Sequence, residues 1–473
     1  MAANKVVIVG GGFSGAMTAV NIARLSDEPL DVTVVNRRPD VGRGVAYARR
    51  RPEYLLNVPA QNMSAFHDEP DHFLLWLRTR QEFESTPEAE LRERFIPRQI
   101  YGDYLHSIVQ HHLAPRRGAR HVRFRSLIGD VVDIEPLDAG CNVHLADGSA
   151  LDADRVVIAT GNEAPAALPG TAELADHPSW VPDPWQPWEQ RLPRQGSIVI
   201  LGTGLTTVDA VIALGAVGWH GDIHAVSRHG WFPHAHFRCF EYPDFPPPGV
   251  DLASLGLDRL VDLVQMHCAI LEKRNVSPAI IVDKLRPYTQ RIWEHFTDKE
   301  RLTFAREHAA RWNVLRHRIA PELHAQVTRA ERTGQLRVHT GSIARLEGVG
   351  NRILVQLGDG ESVVGDLVVN ATGPSSKLTA TRSNLLRNLL HDGLIAPDST
   401  DMGIRVDPDH TVLTGEGTRS PYLLALGPLL KGTYWESIAV PELRGQAQRV
   451  AETVLGRVSG DDNEAPALLQ SLT

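Results

Sequence analysis

The chain enters on a short β-branched apolar run, Lys5 to Val9 (KVVIV), with no polar alternation. Such a run fits a strand buried on both faces, the situation in a parallel sheet. A glycine-rich stretch follows, then AMTAVNIARL, whose apolar positions recur as on a helix. The strand pattern returns with DVTVV at Asp31 to Val35. The same succession starts again at Ser197. It runs SIVIL, a second glycine-rich stretch, the helical VDAVIALGAVG, and the strand DIHAVSRHG over Asp222 to Gly230. Two more apolar strands each end in Ala-Thr-Gly: VVIATG at Val156 to Gly161 and LVVNATG at Leu367 to Gly373. The order glycine loop, ATG, glycine loop, ATG predicts a second βαβ unit inserted into a first.

Other patterns separate these anchors. Arg50 to Tyr104 mixes helix and loop, with DHFLLWLRTRQEF helical. Val122 to Leu151 reads as a β-meander with an Asp-Gly turn. Asn162 to Gln195 is a linker whose many prolines and tryptophans point to packing rather than disorder. Phe232 to Gly249 holds too many prolines for regular structure. From Leu252 to Arg332 apolar residues fall at i, i+3, i+4, which predicts a helical subdomain roofing the junction of the two units. The chain then closes with a strand, a glycine-rich turn and a helix, and the polar tail from Gly456 is expected to fray.

Composition narrows the function. A length of 473 residues suggests two or three domains. No run of 18 apolar residues occurs, and the start MAANKVVIVGGG lacks a signal-peptide layout, so a cytoplasmic protein is expected. The net charge of −8 argues against nucleic-acid binding. Cys141, Cys239 and Cys268 are far apart and form no CxxC, which disfavours a redox disulfide or a structural zinc site. His234 and His236 lack further ligands at metal-site spacing, so no metal is expected.

The glycine loops carry the chemistry. Gly10-Gly11-Gly12-Phe13-Ser14-Gly15 is G-x-G-x-x-G between strand and helix. Gly10 permits the tight turn, Gly12 the approach of a pyrophosphate, and Gly15 the packing of helix on strand. The helix N-terminus offers free N–H groups and a positive dipole end. Asn36 stands at the strand end where an acid usually binds the ribose. Its amide can still hydrogen-bond a ribose, while Arg37 and Arg38 could instead suit a 2′-phosphate. The second loop is Gly202-Thr203-Gly204-Leu205-Thr206-Thr207. Thr207 replaces the third glycine, which is expected to loosen helix–strand packing. The following strand ends in Ser227-Arg228, and a guanidinium there favours NADPH over NADH.

Longer motifs then carry a resemblance. They are IVGGGFSG, GRGVAY at Gly42 to Tyr47, LLNVPAQNMSAF at Leu55 to Phe66 and FIPRQIYGDYL at Phe95 to Leu105. ILGTGLTTVD, SRHGWFPHAH, WNVLRHRIAP, NATGP and LGPLLKGTYWESIAVPELRGQA follow. The chain resembles FAD/NAD(P)-binding proteins related to class B flavin monooxygenases, in a branch that includes a nitrosuccinate-forming aspartate N-hydroxylase. The resemblance implies FAD in the first cradle, NADPH in the second, and passage of Gly427 to Glu436 near the flavin ring. It implies reduction of FAD by NADPH and then, through a C4a-peroxyflavin, transfer of oxygen from O2 to a small amine or aspartate-like amino acid. An NADPH-dependent flavin reductase or oxidase without oxygen insertion is the alternative, and a non-catalytic flavin-binding regulator a third reading. A homo-oligomer is left open.

The expected fold class is therefore α/β, with two Rossmann-like dinucleotide-binding domains, the NADPH domain inserted into the FAD domain, and a helical subdomain. The expected bounds are 1–165 for the first part of the FAD domain, 190–250 for the NADPH domain, 251–335 for the helices and 336–473 for the return. Cofactor contacts are expected from Gly10, Gly12, Phe13, Ser14, Gly15, Asn36, Arg98 and Gly161 on the first side. On the second they are expected from Gly202, Gly204, Leu205, Thr206, Ser227, Arg228 and Gly373, with Gly427, Gly432, Trp435 and Glu436 beside the flavin. Candidate catalytic residues are Asn57, Gln61, Arg316 and Trp435. Each has a plainer role open to it: a loop-fixing amide for Asn57 and Gln61, a solvated helix charge for Arg316, and core packing for Trp435. For Arg98, which follows an X-Pro turn with Tyr101 nearby, the plainer role is a structural salt bridge.

Overall fold

Six strands form the first sheet, in the spatial order Thr411–Leu413, Arg419–Ala425, Arg155–Ile158, Asn4–Val9, Leu30–Asn36 and Val122–Ile128. All neighbours are parallel except the first two. A second sheet runs Leu336–Thr340, Asp222–Ser227, Ser197–Leu201, Leu367–Asn370 and Trp180–Val181, parallel throughout. The structure is a computed structural model that describes residues 4–48, 51–114, 121–237 and 241–457. Cys239 and the tail beyond Arg457 lie outside the described residues.

The second sheet is inserted between strands of the first, as the paired glycine loops and ATG turns imply. Two expectations shift. Val122–Ile128 pairs along its whole length with Leu30–Asn36 and so belongs to the first sheet. The antiparallel meander comprises only Val131–Pro136, Cys141–Leu145 and Ala150–Ala153. Leu367–Asn370 pairs with Ser197–Leu201, so residues 336–370 stay with the second unit, and the strands that return to the first sheet begin at Thr411. The linker also contributes: Trp180 and Val181 make an edge strand, and Trp180 and Trp188 are buried.

Both units use one device at the nucleotide end. Gly10 has φ +110°, and a Cβ there would lie 2.2 Å from the Ala159 carbonyl oxygen. Gly202 has φ +116°, and its Cβ would lie 2.4 Å from the Ala371 carbonyl oxygen. Each ATG turn therefore presses its alanine carbonyl against the first glycine of a cradle, and only glycine fits. The third positions differ. A Cβ on Gly15 would sit 1.9 Å from the Gly10 carbonyl oxygen. Thr207 is fully buried, and its hydroxyl donates to the Gly202 carbonyl at 2.9 Å. The expected loosening does not occur, because the hydroxyl bonds the group that a side chain would otherwise crowd.

Between the sheets' nucleotide ends stand the helices Leu257–Lys273, Ala279–Leu285, Thr289–His295 and Ala309–Arg316, with a core of their own around Leu260, Leu271, Ile281 and Trp293. Pro321–Arg332 packs on the second sheet instead, burying Leu323 and Val327 in that unit's core. The C-terminal helix Val440–Val454 lies along the first cradle helix, Phe13–Leu25. No described helix is long and apolar enough to cross a membrane.

Candidate active site

A cleft of about 1490 Å³ opens where the two sheets and the helical roof meet. A single small-molecule pocket is roughly 300–1,000 Å³, so this space suits more than one ligand. Gly10 to Ser14, Asn36 and Gly161 line it from the first unit. Leu205, Thr206 and Asp209 line it from the second, and Gly373 from the second ATG turn. Asn57 and Gln61 contribute a middle wall, Arg286 and Arg316 to Arg318 the roof, and Ile438 to Val440 the start of the C-terminal helix.

The cradles fit dinucleotide phosphates. A Cβ on Gly12 would meet only the Gly44 Cα, at 3.7 Å, and one on Gly204 would meet nothing within 4 Å. Both middle glycines thus present bare backbone to open space. Each is the N-cap of its helix, Phe13–Leu25 or Leu205–Ala216, and supplies no capping side chain. The helix N–H groups are left for an anion.

Asn36 is committed differently from the expectation. Its side-chain oxygen accepts from the Gly11 N–H at 3.2 Å, and its amide NH2 donates to the carbonyls of Arg38 at 2.7 Å and Asp40 at 3.2 Å. The amide braces the glycine loop while standing on the cleft wall. Arg37 is paired with Asp130 at 2.8 Å.

Arg98 is also committed. Its guanidinium grips Asp209 with two bonds, 2.7 and 3.0 Å, and its Nε donates to the Leu55 carbonyl at 2.8 Å. The charge expected to meet a phosphate or substrate carboxylate is neutralised across the seam between the units. Sequence patterning gives no way to find Asp209, because an acid inside an apolar helix shows no partner along the chain.

The Arg316 guanidinium lies 3.3 Å from Glu436 and 3.7 Å from Glu442, and Arg286 pairs with Glu442 at 2.7 Å. Burial pushes the Glu436 carboxyl up, but Arg316, His317 and a bond from the Trp312 indole hold it below the usual range. Arg316 Nε is buried without a hydrogen-bond partner. Burial and the neighbouring Arg316 push His317 down to about 4. His236 is also pushed down to about 4, by burial and by Arg318, and its Nε2 lies 2.8 Å from the Asn57 carbonyl. A carbonyl only accepts, so Nε2 carries the proton, and the bond fixes the loop that holds Asn57. Arg318 is paired with Asp283 through two bonds of 2.7 Å.

The structure places several expected contacts away from the cleft wall. Gly15 lies beneath the first cradle, packed against Gly10. Gly202 and Gly204 adjoin the cleft through Leu205 and Thr206. Ser227 bonds Thr203 at 2.9 Å, and Arg228 is exposed at its strand end. Gly427 packs between Ser14 and Leu443, and a Cβ on Gly432 would strike the Asp398 carboxylate at 2.0 Å. Trp435 packs in the core of the helical roof, its ring 4.9 Å from that of Trp293. The Trp293 and Phe304 rings against it make packing the stronger demand there than a flavin wall. Pro428 and residues 438–440 take the lining position instead. Cys141 and Cys268 are buried, their thiols pushed up to about 12 and about 11 by burial. Among the described residues, no three His, Cys, Asp or Glu side chains gather to hold a metal.

Residues 7–163 match the family model described as FAD-NAD(P)-binding. No curated protein matches the chain. Among solved structures, the ornithine N-hydroxylase KtzI of Kutzneria sp. 744 is 16% identical, covers 97% of this chain and 100% of its own, and superposes with a TM-score of 0.63. The ornithine hydroxylase PvdA of Pseudomonas aeruginosa is 15% identical over 97% and 100%, with a TM-score of 0.62. L-lysine 6-monooxygenase of Pseudomonas syringae is 18% identical over 96% and 99%, with a TM-score of 0.61. At such identities the likeness is one of fold, and it extends over nearly the whole chain.

Proposed function

We propose that this protein is an FAD-dependent, NADPH-consuming monooxygenase that N-hydroxylates a small amine or amino acid. One observation carries the reading: two glycine cradles, built alike, open on one roofed cleft. The similar structures add weight, since they are an ornithine hydroxylase and a lysine monooxygenase, and one was solved with reduced FAD, NADP+ and L-ornithine.

FAD, when bound, supplies the redox and oxygen chemistry. The chain's own residues bind, orient and exclude water. The N-terminus of Phe13–Leu25 takes the FAD pyrophosphate, and that of Leu205–Ala216 takes the NADPH pyrophosphate. Arg228, exposed beyond its strand, reaches the 2′-phosphate. Asn57 and Gln61, on a loop pinned by His236, offer amides to the ring and substrate. The roof keeps water from the reacting region. Arg316 and Arg286 line the cleft beside Glu436 and Glu442, and their buried Nε atoms, which have no hydrogen-bond partner, are what the carboxylate of an aspartate-like amino acid would meet.

The test couples three measurements on the purified holoenzyme: NADPH consumed, O2 consumed, and hydroxylated product from a panel of amines and amino acids. One product per NADPH and O2 with one acidic amino acid is expected. NADPH oxidation with peroxide and no oxygenated product across the panel makes the protein a reductase or oxidase.

A further inference from the structure

The two cradles stand on separate sheets, so their mutual bearing is set where the units touch. Arg98 begins the helix Arg98–Leu113, which packs on the first cradle helix. Its backbone N–H donates to the Tyr54 carbonyl at 2.7 Å and its Nε to the Leu55 carbonyl at 2.8 Å. The guanidinium therefore leaves the first unit in a fixed direction. It ends in two bonds on Asp209, the fifth residue of the second cradle helix. Asp209 lies one turn beyond Leu205 and Thr206, which form the cleft wall at that helix's start. Around the pair, Leu55 and Phe95 of the first unit pack against the core of the second.

The two side chains are 8% and 11% exposed. A buried ion pair adds little net stability over apolar residues of the same shape, because removing two charges from water offsets their attraction. A forked, two-bond contact does fix an angle. We infer that Arg98 and Asp209 are positioning residues that lock the second cradle helix in register with the first cradle. The pair sets how the second dinucleotide is presented to the first, and it acts through the helix it holds. This inference rests on the proposed passage of hydride from NADPH to FAD, where a misplacement of about 1 Å costs on the order of 100-fold in rate.

The experiment compares holoenzyme with Asp209→Asn, which keeps the shape and removes the charge, and Arg98→Lys, which keeps the charge and removes the fork. Flavin content, NADP+ dissociation constant, hydrogen exchange of the 205–212 amides, and the anaerobic rate of flavin bleaching at saturating NADPH are measured. Both variants are expected to keep their flavin and to bind NADP+ within about threefold of wild type. The 205–212 amides should exchange faster, and bleaching should slow by about 10- to 100-fold for Asp209→Asn and less for Arg98→Lys. Wild-type exchange and bleaching in both variants overturn the inference, as does a loss confined to NADP+ affinity. A wild type that NADPH does not bleach would sink the proposed function, and the exchange comparison would still decide whether the pair locks the helix.

Discussion

Asn36 and Gly11 are joined by a hydrogen bond from the Gly11 N–H to the Asn36 side-chain oxygen, and the other end of the same amide holds the carbonyls of Arg38 and Asp40. This explains an asparagine where a ribose-binding acid is usual. A carboxylate can accept from Gly11 but cannot donate to two carbonyls. Asn36→Asp should therefore destabilise the first cradle by about 1–3 kcal/mol, the range for leaving a polar group unpaired. The check is thermal melting together with flavin retention through dialysis. An unchanged melt and full retention would remove the bracing role.

The unequal third positions of the two cradles give a paired prediction. Gly15→Ala places a methyl 1.9 Å from the Gly10 carbonyl oxygen, so the loop must shift, and the purified protein should come out without flavin. Thr207→Val keeps the volume and loses only the bond to the Gly202 carbonyl. It should cost about 1 kcal/mol and leave the KM for NADPH nearly unchanged. Flavin absorbance per chain and steady-state kinetics read the two effects. A yellow Gly15→Ala protein would contradict the first.

Arg228 stands exposed at the end of Asp222–Ser227, where the proposed function has it meet the 2′-phosphate of NADPH. A hydrogen bond to a charged group is worth about 1.5–3 kcal/mol, which corresponds to roughly 10- to 100-fold. Arg228→Ser should raise the KM for NADPH by that factor and leave the KM for NADH alone. Equal change for both nucleotides would place the 2′-phosphate elsewhere.

Acid should weaken the fold before the carboxylates titrate. His236, His317 and His410 are each pushed down to about 4, mainly by burial, against an ordinary value of 6.5. The unfolded chain thus takes up protons first as pH falls through 6.5, while the folded chain resists until about 4. Stability is full above 6.5 and is lost progressively between 6.5 and 4. At pH 5 the loss is on the order of 2 kcal/mol per histidine relative to pH 7. Urea melts at the two pH values check this, and equal midpoints would contradict it.

The strands, both glycine loops and both ATG turns were legible because each rests on local pattern: apolar runs, and glycines forced by φ or by a neighbouring carbonyl. The ATG turns read as punctuation in the sequence, and the contacts of Gly10 with Ala159 and of Gly202 with Ala371 give them a steric cause. What escaped depends on distant partners. Leu367–Asn370 joins the second sheet through pairing with Ser197–Leu201, a choice that no local pattern encodes. A structural salt bridge was open to Arg98, but its partner could not be named because Asp209 is 111 positions away. Trp435 followed a glycine turn as a flavin wall would, yet the helices it packs against come from residues 257 to 312.

The most direct test of two dinucleotides in one cleft is an anaerobic titration of the purified, flavin-loaded protein with NADPH. One FAD per chain, bleached fully by one equivalent of NADPH, is the expected result. Protein that holds no flavin after supplementation, or holds flavin that NADPH leaves oxidised, would contradict it.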